Sequence, residues 1–211
     1  KLAHIHGGEI SLGSIDNIYR DQISVASQLH FTSTLDAAKR LKKLLIDKKF
    51  VYNVGSLSID KLDIQTLPKW EIICNNFNIP NKPFVLITFH PETVGTEKNE
   101  SYIKVLYKSL SELSKSIHLI ITQANADSSG KLYIEMNLSL KKENSNNISI
   151  VESFGKTNYF AAIKNSVFLL GNTSSGIIEA ASFGKYVLNV GKRQHGRTRS
   201  KNIIDVDFDK K

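Results

Sequence analysis

A single cysteine, Cys74, serves all 211 residues. One thiol excludes an internal disulfide and any Cys-x-x-Cys metal or redox site; it fits a reducing compartment, so the expected location is cytoplasmic. No run approaches the roughly 18 apolar residues of a membrane-spanning helix, so no membrane partner is expected. Of only four prolines, Pro68, Pro80 and Pro83 fall in one connector, where a domain boundary is expected. An initiator methionine is also missing. The chain opens Lys1-Leu2-Ala3-His4 in a strand-like stretch and stops abruptly after Val206-Asp207-Phe208, which predicts part of a longer polypeptide. Arginine is scarce, five residues against 23 lysines in a chain of net charge +8. The lysines are scattered, as in Lys39, Lys42, Lys43, Lys48 and Lys49, whereas Arg193, Arg197 and Arg199 cluster. That distribution predicts a local anion site rather than a polyanion coat, and no nucleic-acid partner.

What is present is ordinary globular composition, 41% hydrophobic and 23% charged, enough for one large domain or two small ones. Apolar periodicity alternates strand and helix. Leu2–His6 reads as a strand, 15–29 as a helix, His30–Thr32 as a strand, 35–46 as a helix capped by Ser33 or Thr34, and 50–54 as a strand. A connector with a helix near Trp70–Phe77 leads to a second series. Strands are expected at 84–89, 118–122, 148–151, 167–170 and 186–190, and helices at 101–115, 159–166 and 175–183, with an exposed loop over 141–147. This pattern predicts parallel sheets covered by helices.

Four stretches carry candidate chemistry. The run from Phe168 to Glu179 delivers a strand through Gly171-Asn172-Thr173-Ser174-Ser175-Gly176 onto a helix start. Its amides and hydroxyls suit a diphosphate, with Glu179 better placed for a ribose; it also reads as a capped helix serving only its own backbone. Gly191-Lys192-Arg193-Gln194-His195-Gly196-Arg197-Thr198-Arg199 follows a strand and offers forked donors to a phosphate, or is a solvated basic loop. In His4-Ile5-His6-Gly7-Gly8-Glu9, alternation puts both histidines on one face, but no third ligand is evident and no metal is expected. Glu9, beyond the Gly-Gly turn, is placed as a general acid or base. Asp16 and Arg20 follow in the same stretch, with an i,i+4 surface pair as their bland reading. Thr88-Phe89-His90-Pro91-Glu92-Thr93 puts a histidine at another strand end, and Asn125-Ala126-Asp127 falls at the same edge. Five strand ends thus bring polar groups to one cleft.

These stretches, with Leu29-His30-Phe31, Val54-Gly55-Ser56 and Asp60, resemble the UDP-N-acetylglucosamine 2-epimerase family, in its hydrolysing branch of sialic-acid-type sugar biosynthesis. The resemblance implies an α/β, GT-B-like architecture of two Rossmann-like doubly wound parallel-sheet domains, the first only partly present. Residues 1–62 would end the first domain; 63–211 would form the second, nucleotide-binding one without its last helices. It implies Glu9, Asp16 and His90 as catalytic, and His6, Arg20, Asn125, Ser174, Ser175, Gly176, Glu179, Arg193 and Arg197 as binding the UDP-sugar. It implies no cofactor, and a homodimer or homotetramer. The implied reaction converts UDP-GlcNAc, or a 2,4-diacetamido-trideoxy UDP-sugar, and water into UDP and the 2-epimeric free sugar. Non-hydrolysing epimerisation, and a UDP-sugar-binding module without turnover, are the alternatives. Two features depart from the family: Asn17 stands where it usually has a second acid, and its Gly-Thr-Arg-type nucleotide loop and upstream catalytic Asp have no counterpart.

Overall fold

A computed structural model of the protein describes residues 1–12, 14–92, 99–123 and 130–208. The first unit comprises β1 (Ala3–Ile5), α1 (Asp16–Ala26), β2 (Leu29–Thr32), α2 (Leu35–Leu44) and β3 (Val51–Asn53). Its three strands are parallel in the order β1-β2-β3, with His4 beside His30 and Phe31 beside Tyr52. The α2 helix begins where the Thr34 hydroxyl accepts the Ala37 amide at 3.1 Å, the expected cap. Ala38 and Leu41 on its inner face close over Val51. Arg40 of α2 grips Asp21 of α1 through two parallel bonds of 2.6 and 2.5 Å.

After a 3₁₀ turn at Ile64–Thr66, the second unit runs α3 (Trp70–Phe77), β4 (Phe84–Thr88), α4 (Asn99–Leu113), β5 (His118–Thr122) and α5 (Gly130–Glu143). It continues β6 (Ile148–Val151), α6 (Gly155–Asn165), β7 (Leu169–Gly171), α7 (Ser174–Ile178), a 3₁₀ turn at Ala180–Phe183, β8 (Val187–Val190) and β9 (Ile203–Val206). The sheet order is β6-β5-β4-β7-β8-β9 and every pairing is parallel. Every residue of β4 and β5 is buried, as a parallel sheet covered on both faces requires. One face packs Phe84 and Leu86 against Trp70 and Ile73 of α3 and Phe160 and Ile163 of α6. The Trp70 ring stacks on Phe84 at 4.7 Å. The other face packs Val85 and Ile87 against Leu106 and Leu110 of α4 and Tyr133 and Leu140 of α5. Each such side chain, fully withdrawn from water, contributes about 1.5–3 kcal/mol. The doubly wound expectation therefore holds for this sheet.

The chain winds outward from β4 through β5 to β6, then returns to place β7 on the other side of β4. A crevice opens at that reversal, beyond the carboxyl ends of β4 and β7. The two strands approach so closely there that a Cβ on Gly171 would stand 1.9 Å from the Thr88 carbonyl oxygen.

Several expectations need correction. Residues 130–143, to which the sequence assigned no helix, form α5, and its buried Tyr133, Met136, Asn137 and Leu140 have helical spacing. The polar Asn137 inside that stripe masks the pattern. Lys141–Glu143 of the expected loop are the last turn of α5. The helix expected over 175–183 is divided: α7 spans five residues, tightens into the 3₁₀ turn and ends at Gly184 in a left-handed conformation (φ 65°). Any dipole argument at its start is weaker by that shortening. Among the described residues, no helix is long and apolar enough to cross a membrane.

Candidate functional site

The loops that leave β1, β2, β4, β7 and β8 at their carboxyl ends form two adjoining polar clusters, and the arginine-bearing loop after β8 reaches both. The first centres on Glu9. His6 leaves the strand with φ 64°, so it does not share a face with His4 as alternation predicted. His4 Nδ1 instead meets Ser24 Oγ at 2.9 Å, toward α1. His6 Nε2 accepts the Leu57 amide at 3.3 Å, which leaves the proton of a neutral imidazole on Nδ1, facing Glu9 Oε1 at 3.3 Å. Among the described residues, no group of three His, Cys, Asp or Glu is placed to hold a metal.

Glu9 Oε1 also accepts from the Ser33 hydroxyl, and Glu9 Oε2 from Arg197 of the second unit. Both partners of that ion pair are nearly buried, their side chains 10% and 12% exposed. Burial disfavours the carboxylate, yet the His6 hydrogen bond, the Arg197 charge and the Ser33 hydroxyl outweigh it and hold the Glu9 carboxyl down at about 2. Arg20 does not follow the bland reading of a surface pair with Asp16. Its Nη1 reaches the Glu9 carbonyl at 3.1 Å and Ser11 Oγ at 3.3 Å, which brings it into the cluster. Asp16, one turn earlier, is exposed and acts on the Arg20 charge. Asn17 accepts the Ser11 amide at 3.3 Å and so shapes the same turn. The units also meet where the Leu12 amide donates to the His195 carbonyl at 2.9 Å and Thr198 to Asp36 at 3.2 Å. A cavity of about 290 Å³ lies between them, lined by Glu9, Ser33, Arg40, Ile178 and Arg197.

The second cluster occupies the crevice between β4 and β7. Here His90 and Arg193 both bond Asn172, whose turn leads into Ser174 and Ser175 at the start of α7. The Arg193 guanidinium reaches the Asn172 carbonyl at 3.4 Å. Thr173 caps the turn by accepting the Ser175 amide at 3.4 Å, so part of the hydroxyl-rich run does serve its own backbone. Gly176 is buried against β8, where a Cβ would stand 2.9 Å from Val187, so packing alone accounts for a glycine at that position. Glu179 is 7% exposed, and its Oε2 has no hydrogen-bond partner among the described residues. A buried, unmatched carboxylate oxygen costs free energy until a donor reaches it. Asn125, named from the sequence, lies outside the described residues.

Five residues in these clusters were missed as site residues. Ser33 bonds Glu9, the Tyr159 hydroxyl interacts with Thr88 and Ser175, and Gln194, Glu92 and Asn172 bind main chain. Asn172, Glu92 and Gln194 lie inside motifs already picked out, so spacing pointed to the loops without distinguishing which polar group faces inward.

The family model described as UDP-N-acetylglucosamine 2-epimerase matches residues 1–211. The chain is 36% identical over 216 residues to the GDP/UDP-N,N'-diacetylbacillosamine 2-epimerase (hydrolyzing) of Campylobacter jejuni, covering 98% of this chain and 54% of that protein. It is 34% identical over 209 residues to polysialic acid biosynthesis protein P7 of Escherichia coli, covering 99% and 53%. The chain thus spans about half the length of the curated relatives it matches. Among solved structures, the Methanocaldococcus jannaschii UDP-GlcNAc 2-epimerase in complex with UDP-GlcNAc and UDP superposes with TM-score 0.73 at 20% identity, over 98% of this chain and 58% of that one. The Neisseria meningitidis UDP-GlcNAc 2-epimerase bound to UDP-GlcNAc gives TM-score 0.65 at 23% identity, over 89% and 52%. These likenesses show the GT-B-like α/β fold. Matched by its family model from the first residue to the last, the chain belongs to the UDP-N-acetylglucosamine 2-epimerase family.

Proposed function

We propose that the protein to which this chain belongs is a hydrolysing UDP-sugar 2-epimerase. Its substrate would be UDP-GlcNAc or a 2,4-diacetamido-trideoxy UDP-sugar, its products UDP and the 2-epimeric free sugar of the ManNAc type. One observation carries the reading: a single loop places Arg193 at the serine turn of the crevice and Arg197 on the Glu9 carboxylate. Anion binding and proton transfer are thereby joined across the cleft.

The reaction removes the C2 proton to a base while the C1–O bond to the diphosphate breaks, its electron pair leaving with UDP and a C1=C2 bond forming. Water then adds, with hydroxyl to C1 and a proton to C2 from the opposite face. Chemistry of this kind needs a base near C2, cations at the departing diphosphate and a positioned water. Glu9, ionised at neutral pH, suits the base and not the acid; His90 and Arg193 suit the diphosphate. The unmatched Glu179 oxygen suits a ribose hydroxyl. His6 and Arg20 would orient Glu9, Ser174 and Ser175 would hold phosphate oxygens, and Asp16 remains the candidate second acid, reaching the sugar from the start of α1.

The domain division belongs to the same proposal, with residues 1–62 completing a first Rossmann-like domain and 63–211 forming the second. Most large apolar side chains exposed among the described residues, including Ile5, Ile18, Ile23, Val25, Leu35 and Tyr52, belong to residues 2–57, which supports a first unit that is part of something larger. A homodimer or homotetramer working in the cytoplasm completes the proposal. Its test is proton NMR of the full-length protein with UDP-GlcNAc, or the diacetamido analogue, in deuterated water. Free UDP and a 2-epimeric sugar deuterated at C2 are expected; intact UDP-sugars of both kinds would overturn the reading.

A further inference from the structure

Two buried asparagines grip the loop after β4 in the same way, each through its side-chain oxygen and nitrogen. Asn172 Oδ1 accepts the His90 amide at 2.8 Å, and its Nδ2 donates to the His90 carbonyl at 2.8 Å. Asn99 Oδ1 accepts the Glu92 amide at 3.2 Å, and its Nδ2 donates to the Glu92 carbonyl at 3.0 Å. The main chain on both sides of Pro91 is therefore held at its donor and its acceptor. From that loop, Glu92 Oε1 crosses to accept the Lys192 amide at 2.9 Å. From the turn after β7, the Asn172 carbonyl accepts from Gln194 Nε2 at 2.9 Å and from Arg193. Asn172, Asn99, Glu92 and Gln194 are all buried, at 0, 3, 7 and 2% exposure. The close approach is built into the backbone: Gly191 has φ +77°, and a Cβ there would stand 3.0 Å from Glu92 Oε1 and 2.4 Å from the Phe208 ring.

We propose that Asn172 and Glu92 are positioning residues that brace the loops after β4 and β8 against the turn after β7, so that His90 and Arg193 meet the diphosphate of the substrate together. This rests on the nucleotide-sugar reading above. The side-chain bonds of both go to main chain, of His90 and of Lys192, and the Asn172 carbonyl holds Gln194 and Arg193, so both residues act through those groups and not on the substrate. Misplacement by about 1 Å is enough to lose a large part of a preorganised interaction, and a buried main-chain group left unmatched does not stay where it was.

Binding separates this role from general stability. By isothermal titration calorimetry on the full-length protein, the wild type is expected to prefer UDP over UMP. In Asn172→Asp, which keeps the shape but offers no donor to the His90 carbonyl, that preference should fall about tenfold while UMP affinity stays within about twofold. Glu92→Ala should behave alike, whereas Glu92→Gln, which still presents an oxygen to the Lys192 amide, should keep the wild-type preference. If Asn172→Asp does not fold, the Glu92 pair decides. Unchanged preference in the folded variants, equal weakening of both nucleotides, or loss in Glu92→Gln matching that in Glu92→Ala would overturn the brace. A wild type without preference for UDP would overturn the functional reading and the brace with it.

Discussion

Replacing Glu9 by Gln tests the ion pair that joins the two units. The carboxyl stands at about 2 in the folded protein against an ordinary value of 4.5, a difference of about 3 kcal/mol in favour of folding at neutral pH. A depressed carboxyl adds its full stability above the unfolded value and loses it as the pH falls through the folded one. The window therefore runs from about 4.5 down to about 2. Integrated over that window, about 1 kcal/mol of the contribution survives at pH 3, so about 2 kcal/mol is lost between pH 7 and pH 3. Glu9→Gln has no such proton to gain, and it also leaves Arg197 nearly buried without its counter-charge, a cost that does not vary with pH. Urea unfolding of wild type and variant at pH 7 and pH 3 should show a gap that narrows by about 2 kcal/mol on acidification. A gap equal at both pH values would refute the argument that Arg197, His6 and Ser33 hold the charge.

Other consequences follow from single contacts. His118 is buried with Nε2 on Ser149 Oγ at 3.0 Å, and burial, aided by the Lys82 and Lys141 charges, pushes its imidazole down to about 4. Because the unfolded chain then binds the proton first, wild-type stability should fall from about pH 6.5 to about 4, and His118→Asn should flatten that part of the urea-midpoint profile. Gly171→Ala drives a Cβ into the Thr88 carbonyl at 1.9 Å and should part β4 from β7, seen as a fall of more than about 3 kcal/mol in unfolding free energy. Asp21→Asn removes the charge behind the paired bonds from Arg40, and a loss of about 1–2 kcal/mol is expected on thermal unfolding, shrinking with added salt.

The central strands of the second sheet were legible because they are continuous apolar runs: Phe84–Thr88 and His118–Thr122 are buried at every position, and such runs bounded by turns leave few alternatives, whereas the edge strand β9, exposed over most of its length, was not expected. The Trp70–Phe77 helix was legible from its bounds alone. The α5 helix was not, because a buried Asn137 interrupts its stripe. At the site, residue type pointed to loops that the two polar clusters draw on, yet direction was invisible. Arg20 sits four residues from Asp16 and reads as its partner, but the turn at residues 9–11 offers it a main-chain carbonyl and a hydroxyl that a helix-surface carboxylate cannot match for geometry. His6 shows the same limit. Strand alternation is a rule for extended backbone, and one residue at φ 64° breaks it. Asn172 reads as one polar residue among several in its turn until the loops after β4 and β8 are seen converging on it.

The Glu9–Arg197 pair sets a condition on the proposed chemistry. While the guanidinium lies on the carboxylate, Glu9 is a weak base, since proton affinity falls with pKa. On that proposal, a diphosphate bound beside Arg193 would compete for Arg197, four residues along the same loop, and drawing that charge away would raise the basicity of Glu9 only when substrate is present. Arg197→Gln removes the cation permanently. Burial, already the largest influence on Glu9 and one that raises its pKa, is then opposed only by His6 and Ser33. The acid limb of the kcat/KM profile reports the base of the free enzyme, and its position does not depend on how far overall activity has dropped. In Arg197→Gln that limb should move up in pH relative to wild type, even though weaker diphosphate binding lowers kcat/KM throughout. A limb that stays in place would show that the ion pair is a structural tie between the units and does not tune the base.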